Sequence, residues 1–214
     1  PEDMHLAYLP NALTGVRLRL SIYGGCKTEQ EARIEAELAG LKAILGDIIY
    51  SDKDDTLESA VGAVLKANKC TLSAAESCTG GLISSLITSV SGCSEYYYGS
   101  VTSYANYVKQ NVLGVPQEII EQHGAVSSEC VAAMAEGVRR ITGTDYSVAT
   151  SGIAGPGGGS DEKPVGTVWI GVSSEKGTET YRLRFNSDRK RNIERFASSA
   201  LHILLKKLHK ELNS

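Results

Sequence analysis

No apolar run in the 214-residue chain approaches the ~18 residues that a membrane-spanning helix needs, and its opening residues do not read as a signal peptide. Cysteine is sparse and odd in number. Cys26, Cys70, Cys78, Cys93 and Cys130 contain no C-x-x-C pair, which argues against a disulfide framework and a zinc site and for a reducing cytoplasm. The four histidines are scattered without ligand spacing, so no metal site is expected. Cations are not in excess either. Lys+Arg 22 against Asp+Glu 25 leaves a formal net charge of −3, which is not the basic body that phosphate-backbone binding demands. An apolar content of 42% with 22% charged residues excludes a disordered or collagen-like chain.

What is present is unevenly distributed. Residues 1–54 carry 6 basic and 9 acidic groups, whereas residues 55–214 carry 16 of each, so the acidity sits at one end. Tyr96, Tyr97, Tyr98, Tyr104 and Tyr107 crowd into one stretch. The first residue is Pro1, which suggests a cut inside a longer protein or a processed end.

Residues 16–23 alternate, with Val16, Leu18, Leu20 and Ile22 on one face, and predict a half-buried strand. Thr28 and Glu31 form a capping box before a helix with Ile34, Leu38, Leu41 and Leu45 as its stripe, and Ile48–Tyr50 could return as a short strand. The polar run 51–55 marks a boundary, giving domains at 1–54 and 55–214. A second capping box, Asp55 and Glu58, precedes a helix carrying Leu57, Val61 and Leu65. Then follow strand 70–76, a helix from Leu82 to Val90, strand 98–105, a long helix capped by Ser127, strand 146–151, a Gly-rich loop, strand 165–173, a hairpin at Gly177, strand 178–185, and a closing amphipathic helix. Strands alternating with helices and ending in a hairpin predict a three-layer α/β/α domain with a mixed sheet, preceded by a small α+β segment.

Three stretches could carry chemistry. In Ala75-Glu76-Ser77-Cys78-Thr79-Gly80-Gly81, Ser77 stands between a predicted strand and helix. The N–H groups of Cys78, Thr79 and Gly80 would then gather at a helix N-terminus, beside a nucleophile or around an anion. A capped turn with a packed serine is the plainer reading of the same spacing. Cys78 is a rival nucleophile without a nearby histidine. In Thr102-Ser103-Tyr104-Ala105-Asn106-Tyr107-Val108-Lys109, a lysine desolvated against aromatic rings could serve as a general base, although most lone lysines are solvated. The run from Ser151 through Gly152, Gly155 and Gly157 to Thr167 could bring bare N–H groups to a phosphate, or simply connect two strands. It fails the P-loop pattern, since Gly158 and Gly159 stand where Lys and Ser/Thr belong. Arg189-Lys190-Arg191 places cations at a helix start, where the dipole disfavours them unless an anion is near.

Together these stretches, with His123-Gly-Ala-Val-Ser127 and Glu162-Lys-Pro-Val-Gly-Thr-Val, resemble blocks of the CinA C-terminal family, which includes stand-alone nicotinamide mononucleotide (NMN) deamidases. The resemblance covers roughly residues 55–210; residues 5–54 are similar to the KH-type linker of longer family members, whose molybdopterin-protein-like domain is not in this sequence. Ala105 and Tyr107 depart from the usual Tyr-Ser-Asn-(Glu)-x-Lys block, and Ser187 from Gly-Asp-Arg. The resemblance implies hydrolysis of the NMN carboxamide to nicotinic acid mononucleotide and ammonia. In it Ser77 is the nucleophile, Tyr104 and Lys109 are the proton-transfer pair, and Cys78, Thr79, Gly80, Asn106, Ser151, Gly152, Gly155, Gly157, Arg189 and Arg191 serve the oxyanion or the nucleotide. It implies a small-molecule pyridine mononucleotide as partner, no metal, no cofactor, no membrane, and a homodimer. Two other functions compete: a non-catalytic nucleotide-binding module, and nucleic-acid binding through the KH-like segment. The second is disfavoured by that segment's net charge of −3 and its lack of a G-x-x-G loop.

Overall fold

The computed structural model describes residues 3–11, 15–52 and 55–212; Pro1, and Lys53 and Asp54 of the polar run, lie outside them. The chain divides into two compact units, Pro1–Asp55 and Thr56–Ser214.

In the first unit, strands β1 (Met4–Asn11) and β2 (Gly15–Ile22) pair antiparallel, with Leu6 opposite Leu20 and Tyr8 opposite Leu18. Helix α1 (Lys27–Leu45) follows. Its N-cap is Cys26, without a side-chain cap bond, so the box read at Thr28 and Glu31 does not form. Residues 46–48 make a 3-10 turn where a returning strand was expected. No residue of α1 is buried, as befits a unit too short to enclose a core.

The second unit begins with α2 (Leu57–Ala67), capped by Thr56, whose side chain accepts from the Ser59 N–H. The Asp55–Glu58 box is thus displaced by one residue. Five strands follow: β3 (Leu72–Glu76), β4 (Tyr97–Thr102), β5 (Tyr146–Gly152), β6 (Thr167–Ser174) and β7 (Gly177–Arg184). They form one sheet in the order β4-β3-β5-β6-β7. The pairs β3–β4 and β3–β5 are parallel, and β5–β6 and β6–β7 are antiparallel, so the sheet is mixed as the element order predicted.

Helices cover both faces. On one side α6 (Ser128–Thr142) lies across the sheet, and Val131, Met134 and Val138 meet Ala75 and Ala149. On the other, α3 (Leu82–Thr88), α2 and α7 (Arg189–Leu212) pack together, burying Val61, Leu65, Ile83, Ile87, Phe196, Leu201 and Leu204. Ser127 caps α6 by accepting from the Cys130 N–H, as its position predicted. Two short helices, α4 (Asn106–Asn111) and α5 (Gln117–His123), lie between β4 and α6 where no helix was expected. Tyr96 and Tyr97 are buried, while Tyr98, Tyr104 and Tyr107 are exposed.

This topology makes a crevice. The chain leaves β3 toward β4 on one side and then crosses to β5 on the other. The C-terminal end of β3 is therefore flanked by the ends of two parallel neighbours, the place where open α/β sheets bind their ligands.

Candidate active site

Strand alternation decides what stands at that crevice. Ala75 faces α6, so Glu76 points the other way, toward α3. The Glu76 carboxylate is fully buried and accepts from the N–H groups of Gly81, Ile83 and Ser84 at 3.0, 3.0 and 2.8 Å. It occupies the positive end of α3 and satisfies donors that a helix start leaves unpaired. Gly80 and Gly81, with φ of 63° and 103°, supply the left-handed turn that brings the chain from strand to helix.

Ser77 is pinned between the neighbours of β3. Its N–H donates to Thr150 O at 3.0 Å, extending the β5 pairing, and the Ser103 N–H donates to Glu76 O at 2.8 Å, extending the β4 pairing. Lys109, on α4, enters from the side. Its Nζ lies 3.0 Å from Ser77 Oγ, 2.7 Å from Ser103 O and 3.3 Å from Tyr104 O. Ser77 and Lys109 are both buried. Among the described residues no carboxylate offsets the lysine, so burial lowers its pKa from the ordinary lysine range, although the Cys130 and Cys78 thiols pull the other way. Its polar partners are the main-chain oxygens of residues 103 and 104 and the Ser77 hydroxyl. A neutral amine has two N–H donors and one lone pair. With two carbonyls taking the donors, the lone pair is left for the Ser77 hydroxyl proton.

Cys78 does not compete. Its thiol is buried, and desolvation pushes its pKa up to about 12, so it carries no thiolate near neutrality.

These side chains open on a cleft of about 170 Å³ lined by Ser77, Cys78, Tyr104, Asn106, Lys109, Ala125, Val126, Ser151, Gly152, Ala154 and Arg189. Seven of the thirteen residues singled out as site candidates from the sequence reach its wall together with Cys78, which makes eight, and five do not. Thr79, Gly80, Gly155, Gly157 and Arg191 stand outside. The Thr79 hydroxyl is paired with the Thr150 hydroxyl at 2.8 Å, and the Gly80 N–H turns back to Ser77 O at 3.2 Å. Of the three backbone donors foreseen for an oxyanion, those of Cys78 and Thr79 find no acceptor among the described residues. Gly155 presents a carbonyl that accepts from Arg189 Nη1 at 2.8 Å. Arg191 is held by Asp188.

Two other expectations change. The Tyr104 phenol makes no hydrogen bond to Lys109 among the described residues; it accepts from Arg189 Nη2 at 3.3 Å, and Tyr104 reaches the lysine only through its carbonyl. The Ser151 hydroxyl donates to Ala125 O at 2.6 Å, fixing the 124–127 wall. Sequence reasoning passed over Glu76 as a cap, Ser103 as an acceptor, and Ala125, Val126 and Ala154 as wall residues. The block His123–Ser127 resembles the family, yet a main-chain contact leaves no mark in side-chain chemistry.

Among the described residues no group of His, Cys, Asp or Glu side chains converges as a metal ion requires, and no helix is long and apolar enough to cross a membrane.

Comparison with known proteins adds three findings. A family model described as the CinA C-terminal domain matches residues 54–208. The CinA-like protein of Salinibacter ruber is 48% identical over 94% of this chain and 48% of its own length, and that of Thermotoga maritima is 41% identical over 96% and 49%. The chain thus spans about half the length of the curated relatives it matches. Among solved structures, the competence damage-inducible protein A of Klebsiella pneumoniae superposes with a TM-score of 0.69 at 36% identity, covering 71% of this chain and 94% of that one. The CinA superfamily protein of Escherichia coli gives 0.67 at 28% identity, covering 76% and 98%.

Proposed function

The chain belongs to the CinA C-terminal domain family, and from that premise we propose that it hydrolyses the carboxamide of nicotinamide mononucleotide, giving nicotinic acid mononucleotide and ammonia. The observation that carries this reading is the Lys109 amine, buried with no counter-ion among the described residues and held by two carbonyls 3.0 Å from Ser77 Oγ.

In the first step Ser77 Oγ attacks the amide carbon while the lone pair of Lys109 takes its proton. The charge that builds on the carbonyl oxygen falls to the N–H of Cys78, which lines the cleft and has no acceptor among the described residues; a donor of this kind is worth about 2.7–4 kcal/mol. The lysine ammonium then protonates the departing nitrogen, which leaves as ammonia. Water attacks the acyl-serine with Lys109 again as base, and the proton returns to Ser77. Tyr104 contributes its carbonyl, which orients Lys109, in place of the phenolic proton relay.

The cleft is smaller than the roughly 300–1,000 Å³ of pockets that enclose drug-sized ligands. It suits a pyridine ring and its carboxamide, with ribose and phosphate lying toward Asn106 and Arg189.

The test is ammonia release from NMN by the purified protein and by its Ser77→Ala variant. Turnover that disappears in the variant, with the melting curve retained, is the expected result. Undiminished turnover in the variant overturns the reading. A melting temperature raised by NMN without ammonia would identify a binding module instead.

A further inference from the structure

Residues 124–127 join α5 to α6, and two of them, Ala125 and Val126, form one wall of the cleft. Each peptide there carries one donor and one acceptor. The His123 carbonyl accepts from Lys163 Nζ at 2.6 Å, the Gly124 carbonyl from Ser127 Oγ at 2.8 Å, and the Ala125 carbonyl from Ser151 Oγ at 2.6 Å. Three consecutive carbonyls are thus held by side chains from the Gly-rich loop, the cap of α6 and the end of β5. The Gly124 N–H turns back to Ile120 O at 3.0 Å. The N–H groups of Ala125 and Val126 find no acceptor among the described residues.

A trans peptide sets its N–H and its carbonyl on opposite sides, and both of these peptides are trans. With Gly124 O held by Ser127 and Ala125 O held by Ser151, the two N–H groups are turned away from those hydroxyls, and both belong to residues of the cleft wall. A carbonyl that accepts a hydrogen bond polarises its own peptide and strengthens the N–H as a donor. The pair also stands just before the first turn of α6, a helix of 15 residues whose N-terminal end carries partial positive charge. Across the same cleft are Ser77, the attacking oxygen of the proposed reaction, and the unspent N–H of Cys78.

We propose that the main-chain N–H groups of Ala125 and Val126 complete the oxyanion hole begun by Cys78, and that Ser151 and Lys163 are the positioning residues that hold this wall. The inference rests on the amide-hydrolase reading of the same cleft and adds donors which that reading does not use. As Ser77 Oγ bonds to the amide carbon, the carbonyl electron pair moves onto its oxygen, which then accepts from the wall. When the intermediate collapses and ammonia leaves, the double bond re-forms and the oxygen draws less on these donors. No proton passes to or from the wall, so its contribution is confined to the charged intermediate and the transition states beside it.

The experiment measures ammonia release from NMN and from its thioamide counterpart, thionicotinamide mononucleotide, by the wild-type protein, Ser151→Ala and Lys163→Met. Sulfur accepts hydrogen bonds weakly, so the thioamide draws little on these donors. Ser151→Ala frees the Ala125 carbonyl. It is expected to lower kcat for NMN by about 100-fold, the lower end of what a lost oxyanion donor costs, with KM little changed and thioamide turnover down by less than about 3-fold. Lys163→Met, which frees a carbonyl further from the donors, loses less on NMN and again spares the thioamide. An equal loss on both substrates would make Ser151 a strut of the wall and overturn the proposal, as would an unchanged kcat or a loss confined to KM. Where Ser151→Ala shows no cooperative melt, Lys163→Met decides by the same comparison. If the wild-type protein releases no ammonia from NMN, the hydrolase reading fails by itself. Calorimetry then decides on the donors, with nicotinic acid mononucleotide, whose carboxylate supplies a negative oxygen, as the probe beside NMN. Tighter binding of the carboxylate that is lost in Ser151→Ala upholds them, and equal affinities overturn them.

Discussion

Lys109 Nζ stands 3.0 Å from Ser77 Oγ, although the two residues are 32 positions apart and belong to different elements. The contact exists because β3 and β4 are parallel neighbours: their ends lie side by side, and α4 folds its lysine back over the end of β4 onto the serine. Replacing Lys109 by Met keeps an unbranched stem and removes the base. Ammonia release from NMN is expected to fall by at least about 100-fold, the lower end of what a positioned base contributes, with the near-native melting curve showing that the fold persists.

The pH dependence follows from the lowered pKa of Lys109. In the proposed mechanism the amine acts in its neutral form, so kcat/KM is expected to rise with pH and level off above an inflection that lies below the free lysine value of about 10.4. The stability linkage has the same direction. Between the lowered native pKa and the unfolded one, the unfolded chain binds more protons, and stability contributed at this site increases with pH through that window. Below it both states carry the proton, and the full cost of burying an ammonium remains. Urea melts of wild-type and Lys109→Met protein across the window check this: their stability difference should shift in favour of the wild type as pH rises.

Glu76 gives a separate prediction about the turn. Its carboxylate satisfies three buried or half-buried N–H groups of α3. In Glu76→Ala these donors lose their acceptor, at about 1–3 kcal/mol for each buried group left unsatisfied. A loss of roughly 3 kcal/mol or more is expected in chemical denaturation, with Glu76→Gln recovering part of it through the remaining carbonyl oxygen. A change below about 1 kcal/mol would mean that water reaches these amides, at odds with the complete burial of the side chain.

The layer order and the sheet strands of the larger unit were legible because each long element carries its own period. Val131, Met134 and Val138 mark a helix face, and the apolar runs at 70–76 and 146–151 mark buried strands. The helices α4 and α5, of six and seven residues, are under two turns long and have too few positions to show a stripe. Both capping boxes were misread by a residue or two, since a box needs the right backbone angles as well as the right side chains. At the site, Ser77 and Lys109 could be singled out by residue type. The cap made by Glu76 and the split between Arg189 and Arg191 depended on which way each side chain turned.

The partners that orient Lys109 against Ser77 are the carbonyls of Ser103 and Tyr104, atoms that every residue possesses. Substitution at 103 or 104 alone cannot delete them. The base is therefore insulated from drift along the loop that carries it, and a tolerance for unusual neighbours such as Ala105 and Tyr107 is the natural outcome. On the proposed mechanism, loss of activity would come through the serine, the lysine, or a shift in the path of the main chain.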